Sequence, residues 1–135
     1  MNFLQLQERF GKIQRFPHGV VVQNIFKILD FKDFEEAQKR GHFSGAAIDL
    51  KDGYIHFSTA AQARETARLH FNGRNNLMLL AVPQERLGAA LQWEASRGGQ
   101  LFPHLYATLS MGNVLWAKPL PWNGEAHDFP AETFS

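Results

Sequence analysis

Apolar and polar residues follow patterns that predict two strand–helix pairs in the first half of the chain. Residues 20–29, VVVQNIFKIL, are rich in β-branched side chains and lie between Gly19 and Asp30, which predicts a first strand. The next segment, DFKDFEEAQKRG, has an acidic first turn and a basic last turn. It predicts a helix that Asp30 caps and Gly41 ends.

A second strand and a second helix follow a predicted loop. Residues 42–53, HFSGAAIDLKDG, are rich in small and turn-forming residues and predict that loop. Residues 54–57 alternate in the way typical of a strand with one buried face. Ser58 or Thr59 is then placed to cap a helix that runs to about His70 and ends at an Asn-Gly turn.

Strands dominate the second half of the chain, with little helix between them. An apolar run, NLMLLAV, predicts a buried strand that Pro83 stops, and PQERLG predicts a single helical turn. Three more strands are predicted in AALQWEAS, HLYATLS and NVLWAKPL, the last with Pro119 at an edge or at the strand end. The order predicts an α+β fold with two main helices early and a mainly antiparallel sheet.

The first 19 residues differ in character from the rest. Their apolar residues recur near helical spacing, at Phe3, Leu6, Phe10 and Ile13. Pro17 and Gly19 then break the pattern. We expect residues 1–19 to form an N-terminal helical extension or arm, with a disordered arm as the alternative, and residues 20–135 to form a single α+β domain.

Composition narrows the class of protein. A chain of 135 residues with 44% hydrophobic and 20% charged residues fits one soluble domain with a single core. No cysteine is present, which excludes a disulfide, a thiolate nucleophile and a zinc ribbon. No apolar run reaches the ~20 residues of a membrane helix, and no signal-peptide pattern is present. We therefore expect a cytoplasmic protein that does not bind membranes.

Charge bears on the class of partner. The formal net charge is +1, and the basic residues are scattered rather than gathered in a stripe. This argues against a nucleic-acid partner but not against a nucleotide as a ligand. We expect a small-molecule or nucleotide ligand, and the oligomeric state is left open.

The strand DGYIHFST raises the question of what His56 does. Alternation places Ile55 and Phe57 on one face, and His56 and Ser58 on the other, about 6 to 7 Å apart. An imidazole and a hydroxyl at that spacing can hold two points of one polar ligand. A half-exposed histidine on an ordinary strand is the alternative. The following helix places Gln62 and His70 on one side with Thr66, either as part of the same polar site or as a solvated face.

A second candidate pair lies later in the chain. A turn at the two glycines of RGGQ folds LQWEAS against PHLYATL, which brings Glu94 near His104 or Tyr106. A Glu–His pair can carry out acid–base chemistry, or the histidine can be structural. His56, His70 and His104 could instead converge as a three-histidine metal site, but no metal-binding spacing is present and no metal is expected.

Several segments resemble a known family, domain-of-unknown-function family 952. The resemblance lies in IFKIL, SGAAIDLKDGYIHFSTAAQARETARLHF, LMLLAV and LQWEASRGGQLFPHLYATL, and it covers roughly residues 20–119. Its two signatures are the Asp-Gly-aromatic-Ile-His-x-Ser-Thr stretch and the Trp-Glu-x-Ser … Phe-Pro-His-Leu-Tyr stretch. Members are similar in structure to the ADP-ribosyltransferase fold, which implies a mixed, mainly antiparallel split sheet with a cleft for NAD.

The resemblance also implies roles for individual residues. In the wider transferase group, a His-x-Ser or His-x-Thr motif ends an early strand. By that likeness His56 contacts a ribose hydroxyl of NAD, and Ser58 or Thr59 holds the nicotinamide amide. A later glutamate polarises the ribose, for which Glu94 is a candidate, and His104 could stand in its place.

These observations lead to one expected site and three expected functions. We expect a polar cleft whose ligand-binding residues are His56, Ser58, Thr59, Gln62, His70 and Tyr106, with Glu94 and His104 as catalytic candidates. The first function is binding of NAD, as a substrate, or of a related nucleotide, with ADP-ribosyl transfer or glycohydrolysis. The alternatives are a non-catalytic module that binds a small metabolite and a three-histidine metal enzyme. Whether the protein is an enzyme is left open.

Overall fold

The computed structural model describes residues 14–15 and 21–135 of the chain. Three helices lie in this part of the chain: α1 (Phe31–Arg40), α2 (Ala47–Asp52) and α3 (Ala60–His70). The strands are β1 (Gln14–Arg15), β2 (Val21–Val22), β3 (Asn24–Asp30), β4 (His42–Phe43), β5 (Ile55–His56), β6 (Leu77–Pro83), β7 (Leu91–Ala95), β8 (Leu101–Leu105), β9 (Leu109–Ser110) and β10 (Trp116–Pro119). Short 3₁₀ turns join the later strands, at Gln84–Arg86, Gly88–Ala90, Arg97–Gly99 and Met111–Asn113, and one more follows the last strand, at Ala131–Phe134.

Two three-stranded sheets form the body of the domain. In the first, β6 lies between β3 and β10, and every residue of β6 is buried, as its continuous apolar sequence predicts. In the second, β8 lies between β5 and β7. Every strand pair in the described residues is antiparallel. The α+β fold with an antiparallel sheet is therefore confirmed, while the expected mixture of strand directions is not seen there.

Two apolar clusters cover the two faces of the first sheet. Alternation along β3 sends Ile25 and Leu29 to the face that packs against the second sheet. Phe26 and Ile28 face the opposite way and pack with Ala67 of α3. The cleft described below is lined by residues of both clusters.

The two sheets join at one point and then separate. Phe26 of β3 and Ser58 exchange both backbone hydrogen bonds, at 2.8 and 2.9 Å. Continuation of this antiparallel register would place Ile28 opposite His56. That pair does not form. Along its other edge β5 pairs with β8, and there His56 lies opposite His104. The sheet is thus split at His56, and a cleft opens between the edge of β3 and the second sheet.

The two predicted helices are confirmed. Helix α1 ends at Gly41, whose φ of 85° is the left-handed conformation that favours glycine. Asp30 occupies its N-cap position, but the carboxylate makes no capping bond and pairs with Arg74 at 2.5 Å. Helix α3 begins after Thr59, whose hydroxyl accepts from the N–H of Gln62, while the Gln62 amide oxygen accepts from the N–H of Thr59.

The prediction of a loop over residues 42–53 is wrong. Residues His42–Phe43 form β4 and Ala47–Asp52 form helix α2. Six residues are too few to show helical periodicity, and the helix is held by tertiary contacts of Asp49 rather than by its own propensity.

Two predicted strands are interrupted in the structure. The first predicted strand is divided into β2 and β3 by Gln23. The segment HLYATLS is divided into the end of β8 and β9 by a bend at residues 106–108. Of the predicted N-terminal helical extension, the structure describes Gln14–Arg15, which pairs with Val21–Val22 as a strand. The rest of that prediction lies outside the described residues.

Candidate functional site

A buried carboxylate, Asp49 of α2, organises the site. Its side chain is about 1% exposed and lies within hydrogen-bond distance of four donors. Lys27 Nζ of β3 lies 3.0 Å from Oδ1 and 2.9 Å from Oδ2. The ring Nδ1 of His56 lies 2.6 Å from Oδ1, and the backbone N–H of His56 donates to the same oxygen at 3.0 Å. The N–H of Ala46 donates to Oδ2 at 2.8 Å.

These contacts set the ionisation of the buried pair. Burial alone would raise the pKa of Asp49, but the hydrogen bond from His56, the charge of Lys27 and the two backbone donors outweigh it. The pKa of Asp49 therefore lies well below its usual range, and the carboxylate is ionised. Burial also lowers the pKa of Lys27, and the charge of Asp49 opposes that shift. The pair therefore holds an ionised carboxylate in a fixed position beside Nδ1 of His56.

His56 lies between two carboxylates. In addition to the contact of Nδ1 with Asp49, its Nε2 lies 2.8 Å from Oδ2 of Asp52, the last residue of α2. Carboxylates only accept, so the ring donates to both at once when it is the imidazolium. Asp49 is buried and fixed, whereas the Asp52 side chain is about one-third exposed. Asp52 can therefore be displaced, which frees Nε2 for a ligand.

His104 on the neighbouring strand is held by a different carboxylate. Its Nδ1 lies 2.7 Å from Oε1 of Glu94, and the hydroxyl of Tyr106 donates to the same oxygen at 2.7 Å. Because a carboxylate accepts, Nδ1 carries the proton, and in the neutral ring Nε2 has the free lone pair. The hydrogen bonds from His104 and then from Tyr106 lower the pKa of Glu94, and the bond to Glu94 raises the pKa of Tyr106.

An aromatic cluster joins the two histidines. The ring of Tyr54 stacks on His104 with the centroids 4.0 Å apart and lies 4.6 Å from the centroid of His56. The two imidazoles are 5.7 Å apart and meet edge to face. Burial, followed by the charges of Asp52 and Glu94, raises the pKa of Tyr54. The cluster therefore presents a neutral phenol between two oriented imidazole rings.

A cleft of about 860 Å³ opens beside this cluster. Of the predicted site residues, it brings together His56, Ser58, His70 and His104. The alternation predicted for the strand is confirmed, because Ile55 and Phe57 pack into the apolar core while the side chain of His56 between them is about one-third exposed.

The other predicted residues do not line the cleft. Thr59 and Gln62 are occupied with each other in the capping box, and the amide of Gln62 also donates to the carbonyl of Leu101 at 2.8 Å. Glu94 is hydrogen-bonded to His104, which lines the cleft, and Tyr106 is hydrogen-bonded to Glu94.

A chain of three polar side chains lines the far side of the cleft. The hydroxyls of Ser58 and Thr66 lie 2.8 Å apart, and Arg97 donates to Thr66 Oγ1 at 3.2 Å. The guanidinium of Arg97 also lies over the ring of Phe102, 4.7 Å from its centroid. All four residues line the cleft.

Sequence reasoning missed Lys27, Asp49, Asp52 and Arg97. One signal for the first two was present: a lysine in the middle of the apolar run IFKIL needs a buried acidic partner. In the part of the chain that the structure describes, no group of three or more His, Asp or Glu is arranged to hold a metal ion. The geometry therefore gives the three-histidine alternative no support. No helix there has the length and apolar character needed to cross a membrane.

Three solved structures of one protein are similar to this chain. The X-ray structure of protein CC0527 from Caulobacter crescentus is 45% identical, with a TM-score of 0.76, over 78% of this chain and 93% of that chain. A crystal structure of its double mutant gives 44% identity and a TM-score of 0.76 over the same shares. The solution NMR structure gives 46% identity and a TM-score of 0.70, over 77% of this chain and 90% of that one. All three were structural genomics targets.

Comparison with curated proteins found no match. The family model described as "Protein of unknown function (DUF952)" matches residues 28–117. The match runs from the middle of β3 to β10, and so includes the buried carboxylate, both histidines and the cleft residues from Ile28 to His104, while Phe26 and Lys27 lie just before it. The chain therefore belongs to the DUF952 family.

Proposed function

We propose that the cleft binds NAD or a related nucleotide, and that the reaction it supports is ADP-ribosyl transfer or glycohydrolysis. One observation carries the proposal: the sheet splits at His56, so that His56 and His104 lie side by side at a cleft large enough for part of a dinucleotide. The likeness to the ADP-ribosyltransferase fold belongs to this proposal, and the split antiparallel sheet supports it.

His56 is the residue that would bind the sugar. Asp49 fixes its Nδ1 side, which leaves Nε2 directed at Asp52. A ribose hydroxyl that replaces Asp52 would receive the same hydrogen bond, and the hydroxyl could in turn donate to the displaced carboxylate. Ser58 lines the cleft while Thr59 is a helix cap, so the role of holding the nicotinamide amide falls to Ser58.

His104 is the better candidate for contact with reacting atoms, and Glu94 acts through it. In glycohydrolysis, a water oxygen would attack C1′ of the ribose as the bond to the nicotinamide nitrogen breaks, and Nε2 of His104 would take the proton from that water. In transfer, an acceptor hydroxyl would take the place of the water. Glu94 would hold the tautomer of His104 and stabilise the imidazolium that forms, as a positioning residue.

The test is a titration with NAD by calorimetry, with release of nicotinamide followed by proton NMR. We expect binding, loss of that binding in His56→Ala, and no loss in Arg40→Gln, which alters an exposed residue of α1 paired with Glu36. Absence of heat and of any thermal shift at millimolar NAD would sink the proposal.

The second candidate function is a non-catalytic module that binds a small metabolite. It is favoured by the position of Glu94, whose carboxylate does not line the cleft. Glu94→Gln separates the two functions. An enzyme keeps its affinity for NAD in this variant and loses turnover, because the imidazolium of His104 loses its counter-charge. A binding module shows nearly unchanged affinity and has no turnover to lose.

A further inference from the structure

The cleft contains a half-buried cation, Arg97, that makes no ion pair with the described residues. Arg97 lies in the 3₁₀ turn between β7 and β8, where Gly98 and Gly99 take φ values of 67° and 77° that favour glycine. This turn directs the side chain back over Phe102 to the hydroxyl of Thr66. One face of the guanidinium is covered by an aromatic ring, and its edge lines the cleft.

The other arginine and lysine side chains that line the cleft each form an ion pair with a carboxylate. Lys27 is bound to Asp49, and Arg74 to Asp30 at 2.5 Å. Arg97 has no carboxylate within ion-pair distance among the residues that the structure describes. Its near acidic neighbour, Glu65, is held by two hydrogen bonds from Arg68, at 2.8 and 2.7 Å. A guanidinium that is partly withdrawn from water and has no ion-pair partner favours an anion brought by a ligand.

The hydroxyl chain beside Arg97 fixes the direction of its hydrogen bonds. Thr66 Oγ1 accepts from Arg97, and it can accept a second bond from Ser58. Its own proton is then free to donate into the cleft. Arg97 uses one of its five N–H groups on Thr66, which leaves the rest of its planar fork for a bidentate contact. His70 lies one turn further along α3 on the same side as Thr66 and also lines the cleft.

We propose that Arg97 and Thr66, with His70 at the edge, form a phosphate-binding subsite of the cleft. The inference rests on the proposed function in one respect, that the phosphate belongs to the ligand whose ribose His56 binds. Ser58, which touches Thr66 and follows His56 by two residues on the same side of the strand, connects the two parts. The substrate class is therefore a phosphorylated nucleoside, with the phosphate on the α3 side of the cleft.

The test is a titration with inorganic pyrophosphate, followed by calorimetry and by backbone amide NMR shifts. We expect wild-type protein to bind pyrophosphate and Arg97→Gln to bind it at least about ten-fold more weakly, since hydrogen bonds to a charged group contribute about 1.5–3 kcal/mol. Arg97→Lys keeps the charge but not the fork, and should lie between the two. Arg40→Gln is the matched control and should leave the affinity unchanged, because Arg40 is exposed, pairs with Glu36 on α1 and does not line the cleft.

The outcomes separate this inference from the proposed function. Pyrophosphate binding that depends on Arg97, without any binding of NAD, supports the subsite and removes the dinucleotide as the ligand. Binding of NAD that Arg97→Gln leaves unchanged overturns the subsite and keeps the proposed function. Absence of pyrophosphate binding, or binding that Arg97→Gln does not weaken, also overturns the subsite. A thermal melt of Arg97→Gln confirms that the variant is folded, which we expect because the residue has no ion pair to lose in the described part of the protein.

Discussion

The backbone N–H of His56 donates to the side chain of Asp49 where an unbroken sheet would have it pair with Ile28. The distance to Oδ1 of Asp49 is 3.0 Å, and two residues later Ser58 makes the regular pair with Phe26 of the first sheet. The buried carboxylate of Asp49 thus takes the place of an interstrand hydrogen-bond partner. It accepts from the N–H of His56, which the split leaves without a partner on β3. The negative charge of Asp49 is neutralised by Lys27 of β3, the strand that would have supplied the backbone partner.

Replacement of Asp49 by Asn should destabilise the fold strongly. Asn keeps the size of the side chain but leaves Lys27 as an unpaired charge in the core. Removal of one partner of a buried ion pair costs about 3 to 5 kcal/mol. The free energy of unfolding, from urea denaturation, measures this. Asp52→Asn is the control: it removes the other carboxylate that contacts His56 but lies near the surface, and it should cost less than about 1 kcal/mol.

The double variant Lys27→Met, Asp49→Asn tests the origin of that cost. If the unpaired charge is the cause, removal of Lys27 as well should restore part of the stability, and the loss in the double variant should be smaller than the sum of the two single losses. Simple additivity would mean that the ion pair is not the reason for the burial of Asp49.

Stability should fall in acid through Asp49. Its pKa is lowered in the folded protein from an ordinary value of 3.8, so the unfolded chain takes up its proton first as the pH falls. The contribution is fully present above the unfolded pKa and is lost progressively below about pH 4, as the pH falls towards the folded value. Urea denaturation between pH 7 and pH 3 should show the gap between wild type and Asp49→Asn narrowing as the pH falls. A gap that stays constant over this range would contradict the assignment.

Gly45 should not tolerate a side chain. Its φ of 122° is a conformation that other residues rarely adopt, and an added Cβ would lie 2.9 Å from Cβ of Asp49. We expect Gly45→Ala to lose about 1 to 3 kcal/mol and to move the NMR signals of the His56 ring. Gly53→Ala is the matched control at the other end of α2, since its φ of 87° is also positive but a Cβ there meets open space. Equal losses in the two variants would show that backbone strain alone acts at Gly45.

Elements could be predicted from the sequence where they show a periodic apolar pattern or a known signal for the start or end of a helix. Strand β6 and helices α1 and α3 were predictable because long apolar runs, a Thr–Gln capping box and a terminal glycine mark them. The pair of Glu94 with His104 was predictable because a short turn fixes the register of the hairpin. Helix α2 was not predictable in this way, since its six residues form a helix around the tertiary contacts of Asp49.

The same limit explains the errors in the predicted site. Spacing on a strand or a helix tells which side chains share a face, and it placed His56, Ser58 and His70 on the cleft. It does not tell which donors are already used, and so Thr59 and Gln62 were assigned to a ligand although they bind each other. Arg97 was missed because the path of a glycine-rich turn decides where its side chain lies, and that path has no periodic signal.

The link from Glu94 to Tyr106 should be visible in a spectrophotometric titration. The chain has two tyrosines, Tyr54 and Tyr106, so the ionisation of each can be assigned. The pKa of Tyr106 lies above its ordinary 10.0 chiefly because of the hydrogen bond to Glu94, whereas burial is the main cause of the rise at Tyr54. Glu94→Gln should therefore lower one of the two tyrosine pKa values clearly and the other only slightly.

Tyr106→Phe identifies which tyrosine responds. In this variant the Tyr54 transition alone remains and should stay close to its wild-type position. The same variant removes the second donor to Glu94, so the pKa of that carboxyl, followed by carbon NMR, should rise towards its ordinary value of 4.5 but stay below it, because the hydrogen bond from His104 is the larger cause of the shift. Full recovery of the ordinary value would mean that His104 does not hold Glu94, and the positioning role given to this pair would then fail.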